Sequence, residues 1–233
     1  MKFSTPLIKA KILDRYKRFL SDIELDNGEI VNAHVPNTGS MTTCWEKNGD
    51  VYLSESTNPK RKLKYTLEMT DNGSTLISVN TSLTNKIAKE ALELKLIAEL
   101  IEYNNIKPEQ KIFDSRIDFL LTQEDYQDAY VEVKNVTLLG PNKRALFPDS
   151  VSVRGQKHLK DLMRIKESGD RAIMLYIVNR MDVTAFSPAS DIDPIYANLL
   201  KEAINKGIEV LVYQTKLTED EIIVSTKIPL ILD

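Results

Sequence analysis

Two segments decide how this chain folds: S-R-I-D-F-L-L from Ser115 to Leu121 and Y-V-E-V-K-N from Tyr130 to Asn135, joined by an eight-residue polar loop from Thr122 to Ala129. Both alternate with the period of two that marks a β-strand. Ile117, Phe119 and Leu121 are expected on one side of the first strand, and Val131 and Val133 on one side of the second. Asp118, Glu132 and Lys134 then fall on the opposite faces. Paired as a hairpin, the strands carry two carboxylates and one ammonium on one face.

That triplet has a chemical reading. Two neighbouring carboxylates repel each other, and either a proton or a hard cation such as Mg²⁺ relieves the repulsion. A lysine two residues beyond Glu132 lies on the same face, roughly 6 to 7 Å along the strand. From there it can orient water or offset charge developing on a phosphoryl oxygen. Glu-X-Lys is also common on solvated strands in a chain with 28% charged residues. Two features argue against that bland version: the valines bracketing Glu132 predict a strand buried on its other face, and the polar residues stand where that sheet would otherwise be apolar.

The spacing resembles the PD-(D/E)XK nuclease superfamily, and the wording of several segments is similar to one family, the sugar fermentation stimulation protein A (SfsA) family. Those segments are R-Y-K-R-F-L (Arg15 to Leu20), H-V-P-N-T-G-S-M (His34 to Met41), S-R-I-D-F (Ser115 to Phe119), V-E-V-K-N-V-T-L (Val131 to Leu138) and F-P-D-S-V-S-V-R-G-Q-K-H-L (Phe147 to Leu159). The resemblance implies a DNA-binding protein with an OB-like N-terminal barrel and a nuclease-like C-terminal domain. Ile112-Phe113-Asp114 departs from it, standing where the family pattern has a glycine-containing turn.

Composition sets the bounds. With 233 residues and 42% hydrophobic content the chain can bury a sizeable core. One cysteine, Cys44, permits no internal disulfide, and with only His34 and His158 beside it there is no zinc-ligand spacing. Lys9 and Lys11 interrupt any apolar run at the N-terminus, and no stretch approaches the roughly 20 apolar residues of a membrane span. A cytoplasmic protein without membrane contact is expected. The formal net charge of −3 excludes binding of nucleic acid by bulk charge, so DNA must meet a local patch. Basic residues cluster near the start: Lys9, Lys11, Arg15, Lys17 and Arg18, then Lys60, Arg61, Lys62 and Lys64.

From Pro6 to Asn80 turn signals separate short strands. Asn27-Gly28 and Asn72-Gly73 have the form of two-residue hairpin turns, and Phe19 to Leu25, Ile30 to Val35, Val51 to Ser54, Lys62 to Met69 and Thr75 to Val79 read as five strands. Five short strands suit a small barrel such as an OB-fold. Basic residues interleave with Tyr16, Phe19, Trp45, Tyr52 and Tyr65, the mixture of cations and flat rings that a nucleic-acid groove uses. The alternative is aromatics in the core and lysines on a solvated rim. H-V-P-N-T-G-S-M lacks a G-x-S-x-G elbow and a nearby base for Ser40, so it reads as a shaped loop facing DNA or the other domain. No P-loop or dinucleotide fingerprint is present.

A helix is expected after Asn80, capped by Ser82 or Thr84 and running to about Glu102. It carries Glu90, which the resemblance to nucleases makes a candidate third metal ligand. A second helix is expected from about Ser150 to Ser168 with Gly169 at its end. Arg154, Gln156, Lys157 and His158 in its first turns would point cations and donors at a phosphate. Arg171 to Val178 reads as a central strand, Asp193-Pro194 as an N-cap and N1 pair, and Ile208 to Tyr213 as a further strand.

The expected architecture is α/β (α+β overall): an OB-like barrel over 1–82, then a restriction-endonuclease-like mixed α/β domain over 83–233, compatible with an αβββαβ core. The expected function is DNA binding with Mg²⁺- or Mn²⁺-dependent endo- or exonuclease activity. Asp118 and Glu132 hold the metal, with Glu90, and Lys134 and Gln156 complete the catalytic set. Arg15, Lys17, Arg18, Lys60, Arg61, Lys62, Arg116, Arg154, Lys157 and His158 contact DNA. The rival is a DNA-binding regulator of sugar (maltose) catabolism that does not cut. A carbohydrate enzyme using Asp118 and Glu132 as acid and base leaves the lysine unexplained. The sequence leaves the oligomeric state open, a homodimer included.

Overall fold

The computed structural model describes residues 1–113 and 115–232, so the family departure at Ile112-Phe113-Asp114 lies partly, at Asp114, outside the described residues. The first half contains β1 (Ile8–Tyr16), β2 (Leu20–Leu25), β3 (Ile30–His34), β4 (Asp50–Glu55), β5 (Tyr65–Asp71) and β6 (Leu76–Ser78). Their order is β3-β2-β1-β4-β5-β6, and an additional β3–β5 pairing closes the first five into a barrel. Ala33 and His34 meet Tyr65 and Thr66 in parallel at that closure. The barrel interior holds Ile12, Ile23, Ala33, Val51, Leu53 and Leu67.

β1 corrects the expected list, which began at Phe19. Its text alternates Lys9 and Lys11 with buried Ala10 and Ile12, and both lysines pair with Asp50, at 2.8 and 3.0 Å. What reads as a basic cluster is the outer face of a strand. The hairpin turns are also longer than two residues: the Leu25 amide donates to the Glu29 carbonyl and brackets Asp26-Asn27-Gly28, with Gly28 at φ +80°. Glycine is needed there because other residues resist the left-handed region.

The second half runs α1 (Thr84–Glu93), β7 (Asn105–Ile112), β8 (Ser115–Thr122), β9 (Ala129–Val136), β10 (Leu138–Leu139), β11 (Arg144–Phe147), α2 (Val153–Glu167), β12 (Arg171–Val178), β13 (Ala185–Pro188), α3 (Pro194–Asn205), β14 (Glu209–Leu217) and β15 (Ile222–Lys227). The large sheet has the order β15-β14-β12-β9-β8-β7, and β12 runs parallel to both neighbours. Its central place follows from its apolar run: Ile173, Leu175 and Ile177 pack toward α1, while Met174, Tyr176 and Val178 pack toward α2 and α3. The succession α1, β7 to β9, α2, β12 gives the αβββαβ order.

Three expectations change here. Neither Ser82 nor Thr84 caps α1: the Asn80 side chain accepts from the Ser82 amide and starts a short 3-10 turn, Thr81–Leu83, that leads into it. The helix ends at Glu93 instead of Glu102, since Lys95 takes φ +59°. β7 was not anticipated. It contains Pro108 and mostly exposed charged and polar residues, a composition tolerated only at a sheet edge, where it sits. Among the described residues, no helix is long and apolar enough to cross a membrane.

The two halves are joined by polar contacts. The Ser78 amide donates to the Asn179 carbonyl at 3.0 Å, and the Tyr52 hydroxyl donates to Glu219 at 3.0 Å. Arg180, with no exposed surface, bonds both oxygens of Asp182 and reaches the carbonyls of Thr43 in the barrel and Thr137 after β9.

Candidate metal and nucleic-acid cleft

The hairpin of β8 and β9 pairs Leu121 with Ala129, Leu120 with Tyr130 and Phe119 with Val131, and there the ladder stops. At the next step the Asp118 carboxylate takes the place of a strand: its Oδ2 accepts the Val133 amide at 2.8 Å. Glu109, the residue on β7 that lies between the partners of Asp118's neighbours, has φ +51°. The regular alternation breaks at this point. Ile117, expected beside Phe119 and Leu121, instead joins the core under α2, while those two pack toward α1. The splayed strands open a cleft of about 540 Å³ lined by Asp118, Glu132, Lys134 and Asn135 from the sheet, Asn85 from α1 and Arg154 from α2. Asn37, Thr38 and Gly39 of the barrel form its far wall.

Glu132 is 2% exposed. Its Oε1 accepts from the Lys134 ammonium at 2.5 Å and also meets His158 Nδ1, while Oε2 has no hydrogen-bond partner among the described residues. His158 Nδ1 also lies 3.0 Å from the Lys134 ammonium, and its Nε2 lies 3.4 Å from Arg154 Nε, so the ring sits between Glu132 and two cations. Burial alone pushes the Glu132 carboxyl up, but the His158 hydrogen bond and the Lys134 charge outweigh it and hold it below the usual range. Asp118 moves the other way. Burial first, then the charge of Glu132, raise it, only partly offset by the Val133 amide and by Asn85, whose amide donates to Oδ1 at 2.7 Å. Opposite shifts in neighbouring carboxyls mark a site that keeps one acid ionised and strains the other.

This gives a stability prediction. An acid with a raised folded pKa binds its proton more tightly in the folded state, so its contribution to stability falls as pH rises from the ordinary Asp value through the raised one. The cation-free protein carries that penalty at neutral pH. Asp118→Asn is expected to raise Tm in EDTA at pH 7, by on the order of 2–4 °C for each kcal/mol removed. Thermal melts across pH check it: a fall in Tm, or a gain that persists unchanged at low pH, contradicts the assignment.

The barrel wall is fixed from two sides. Within the barrel, the Arg15 guanidinium donates to the carbonyls of Arg18, Asn37, Gly39 and Ser40. From the second half, Asp149 Oδ2 accepts the Ser40 amide at 2.8 Å and presses so closely on Gly39 that a Cβ there would overlap its carboxylate. The H-V-P-N-T-G-S-M loop therefore faces the other domain.

The remaining expected site residues separate into two groups. Lys17, Arg18, Lys60, Arg61 and Lys62 are exposed on the barrel, although Arg61 also donates to Thr66 at 2.6 Å. Arg15 is withdrawn into the loop as a brace. His158 is buried and holds Glu132, so it does not reach a phosphate. The Gln156 amide is spent on Asp193, at 3.0 and 3.1 Å. Lys157 donates to Ser115 at 2.6 Å beside Asp161, and Arg116 pairs with Glu109 at 3.0 Å. Glu90 is ion-paired with the Met1 amino group and does not line the cleft. The helical residue that reaches Asp118 is Asn85. Sequence reasoning missed it, because one asparagine in a helix's first turn looks like many others, and it missed Asp149 inside a Pro-Asp-Ser turn.

The geometry can be set beside known proteins. A family model described as the sugar fermentation stimulation protein RE domain matches residues 82–221, and one described as the SfsA N-terminal OB domain matches residues 13–79. A sugar fermentation stimulation protein homolog of Syntrophotalea carbinolica is 46% identical over 233 residues, covering 100% of both chains. A homolog of Geobacter metallireducens is 45% identical over 234 residues, again covering 100% of both. Among solved structures, Pyrococcus furiosus SfsA in complex with Ca²⁺ superposes with a TM-score of 0.88 at 28% identity, covering 99% of this chain and 98% of that one.

Proposed function

The chain belongs to the sugar fermentation stimulation protein (SfsA) family, and from that premise we propose that it binds DNA and hydrolyses phosphodiester bonds with a divalent cation held by Asp118 and Glu132. The observation that carries the proposal is Glu132 Oε2, a buried carboxylate oxygen without a partner among the described residues, beside a second carboxylate whose pKa is raised. An unsatisfied buried polar atom costs about 1–3 kcal/mol, and more when charged. Two carboxylates offer the hard oxygens that Mg²⁺, Mn²⁺ or Ca²⁺ prefer, so the residues fit such an ion. The related protein of Pyrococcus furiosus was solved with Ca²⁺, which supports a divalent cation in this family.

Bound there, the ion would polarise a phosphoryl oxygen and offset the charge that develops on it. The chain's own groups divide the rest. Lys134, 12% exposed, is anchored on Glu132 beside His158 and lines the cleft, where its ammonium can hold the attacking water or a phosphoryl oxygen. Arg154 stands at the rim, its Nε near His158, with terminal nitrogens suited to a phosphate. His158 keeps Glu132 ionised and oriented, which makes it a positioning residue. Asn85 and the Val133 amide hold Asp118 in place.

DNA reaches the cleft along the barrel. The turn between β1 and β2 exposes Lys17, Arg18 and Phe19, and Arg15 ties that turn to the loop that walls the cleft. Replacing Lys17 and Arg18 with alanine is expected to weaken binding and to reduce the slope of log K against log salt by about 0.7 to 0.9 for each phosphate no longer neutralised. Filter binding at several salt concentrations measures it, and an unchanged slope assigns the two residues to a solvated rim.

Cation uptake tests the core of the reading. Titration calorimetry with Mn²⁺ is expected to give a binding isotherm for the wild type and none for Asp118→Asn or Glu132→Gln. Equal uptake by all three places the ion elsewhere.

A further inference from the structure

We propose that the strand entering the cleft has unpaired bases, and that Val151 and Val153, with Ile195 of α3, form the apolar shelf on which those bases lie. The inference rests on the DNA-cleaving reading of the cleft and names its substrate class: single-stranded DNA, or the single-stranded arm of a branched molecule.

The shelf is an anomaly in its setting. Other apolar residues that line the cleft, such as Val133 and Leu138, are buried, whereas Val151 and Val153 on one wall are 65% and 73% exposed. Helix capping does not explain them. Ser152 caps α2 through the Gly155 amide, and an apolar residue just before a cap ordinarily packs against the fourth helical position. That position is Gln156, whose amide is turned to Asp193. Val151 stays open to solvent. Asp193 also accepts the Ser152 amide at 2.9 Å while capping α3 through the Tyr196 amide, so it pins the starts of the two helices together. Ile195, 58% exposed, stands in the first turn of α3, whose start that pin ties to the start of α2.

The chemistry of the cleft selects the occupant. A phosphate lying at Lys134 and Arg154 brings its own nucleotide against the wall that carries Val151 and Val153. In a duplex the faces of the bases are covered by their neighbours, and a protein wall meets phosphates, sugars and polar base edges. Branched aliphatic side chains recover little from such a surface. An unstacked base presents an apolar face, which apolar side chains cover when a nucleotide leaves the stack.

The test uses the whole protein in EDTA, so that binding is read without cutting. Oligonucleotides carrying 2-aminopurine are offered as single strand, as a fork with a single-stranded arm, and as perfect duplex. The variant combines Val151→Ser, Val153→Ser and Ile195→Ser, all on exposed positions, and melting curves establish that it is folded. Wild type is expected to change the fluorescence of the single-stranded and arm probes. The triple variant is expected to lose roughly tenfold in affinity for them, within the range set by base-stacking contacts. Its affinity for duplex should be unchanged, and leucine at positions 151 and 153 should restore single-strand binding. Equal losses on single strand and duplex, or no loss on either, overturn the shelf. Failure of the wild type to bind any of the three overturns the shelf and the DNA reading together, whereas wild-type binding with an indifferent variant overturns the shelf alone. A variant that sediments as a smaller species with unchanged single-strand affinity identifies the patch as a contact between copies of the chain, which also overturns it.

Discussion

Glu132→Gln is expected to lower cleavage by at least about 10² to 10³, the usual loss when one electrostatic stabiliser is removed from an active site. It is expected to bind DNA in EDTA as well as the wild type or better, because a negative charge facing phosphates has gone. The split between the two readouts is what separates a catalytic acid from a general structural residue. Glutamine keeps the shape but weakens the bonds from Lys134 and His158, so stability should fall by about 1–3 kcal/mol. Assays therefore belong well below the variant's Tm. Parallel losses of cleavage and metal-free binding would mean that Glu132 organises the cleft without holding a cation.

Arg180→Leu should show the largest change in stability. Leucine removes a guanidinium with no exposed surface and leaves the Asp182 carboxylate, 17% exposed, and the carbonyls of Thr43 and Thr137 without their shared donor. Removing one partner of a buried ion pair costs about 3–5 kcal/mol. At roughly 2–4 °C per kcal/mol for a chain of this size, Tm falls on the order of 10 °C. The pH dependence gives a second signature. Burial pushes the Asp182 carboxyl up, but Arg180 outweighs it and holds it below its ordinary value. Its contribution is therefore present above the unfolded pKa and is lost as pH falls through the lowered one. In Arg180→Leu that acid-sensitive part should disappear from the Tm profile. An unchanged Tm would mean that the two halves stand without this contact.

Much of this was legible locally. Glu132 and Lys134 announce themselves because period-two alternation with valines assigns them a face without any knowledge of the rest, whereas Asp118 sits where the alternation of its own strand breaks. Gly169 beyond α2 and the Asp193-Pro194 start of α3 follow from backbone chemistry within a few residues. What failed was set by distant contacts. β1 looked like a basic cluster because Asp50, which neutralises Lys9 and Lys11, lies far along the chain. The expected helix overran to Glu102 because Leu96 and Leu100 keep packing in the core, from a chain that has already turned. Gln156, Lys157 and His158 have side chains suited to a phosphate, yet each is engaged elsewhere, and only the three-dimensional arrangement reveals it. Asn85, Asp149 and the Asn37–Gly39 wall reach the cleft from three separate parts of the chain, a convergence that spacing does not encode.

The central claim, cation-dependent cutting of DNA at Asp118 and Glu132, is tested most directly by incubating the wild type with single-stranded, branched and duplex DNA in Mg²⁺ or Mn²⁺ and resolving the products on a denaturing gel. Cleavage products are expected with added cation, none in EDTA, and none from Asp118→Asn or Glu132→Gln at equal concentration. Intact DNA in every lane, from a folded protein that nevertheless binds these substrates, would contradict the claim and leave a DNA-binding regulator that keeps the cleft without cutting.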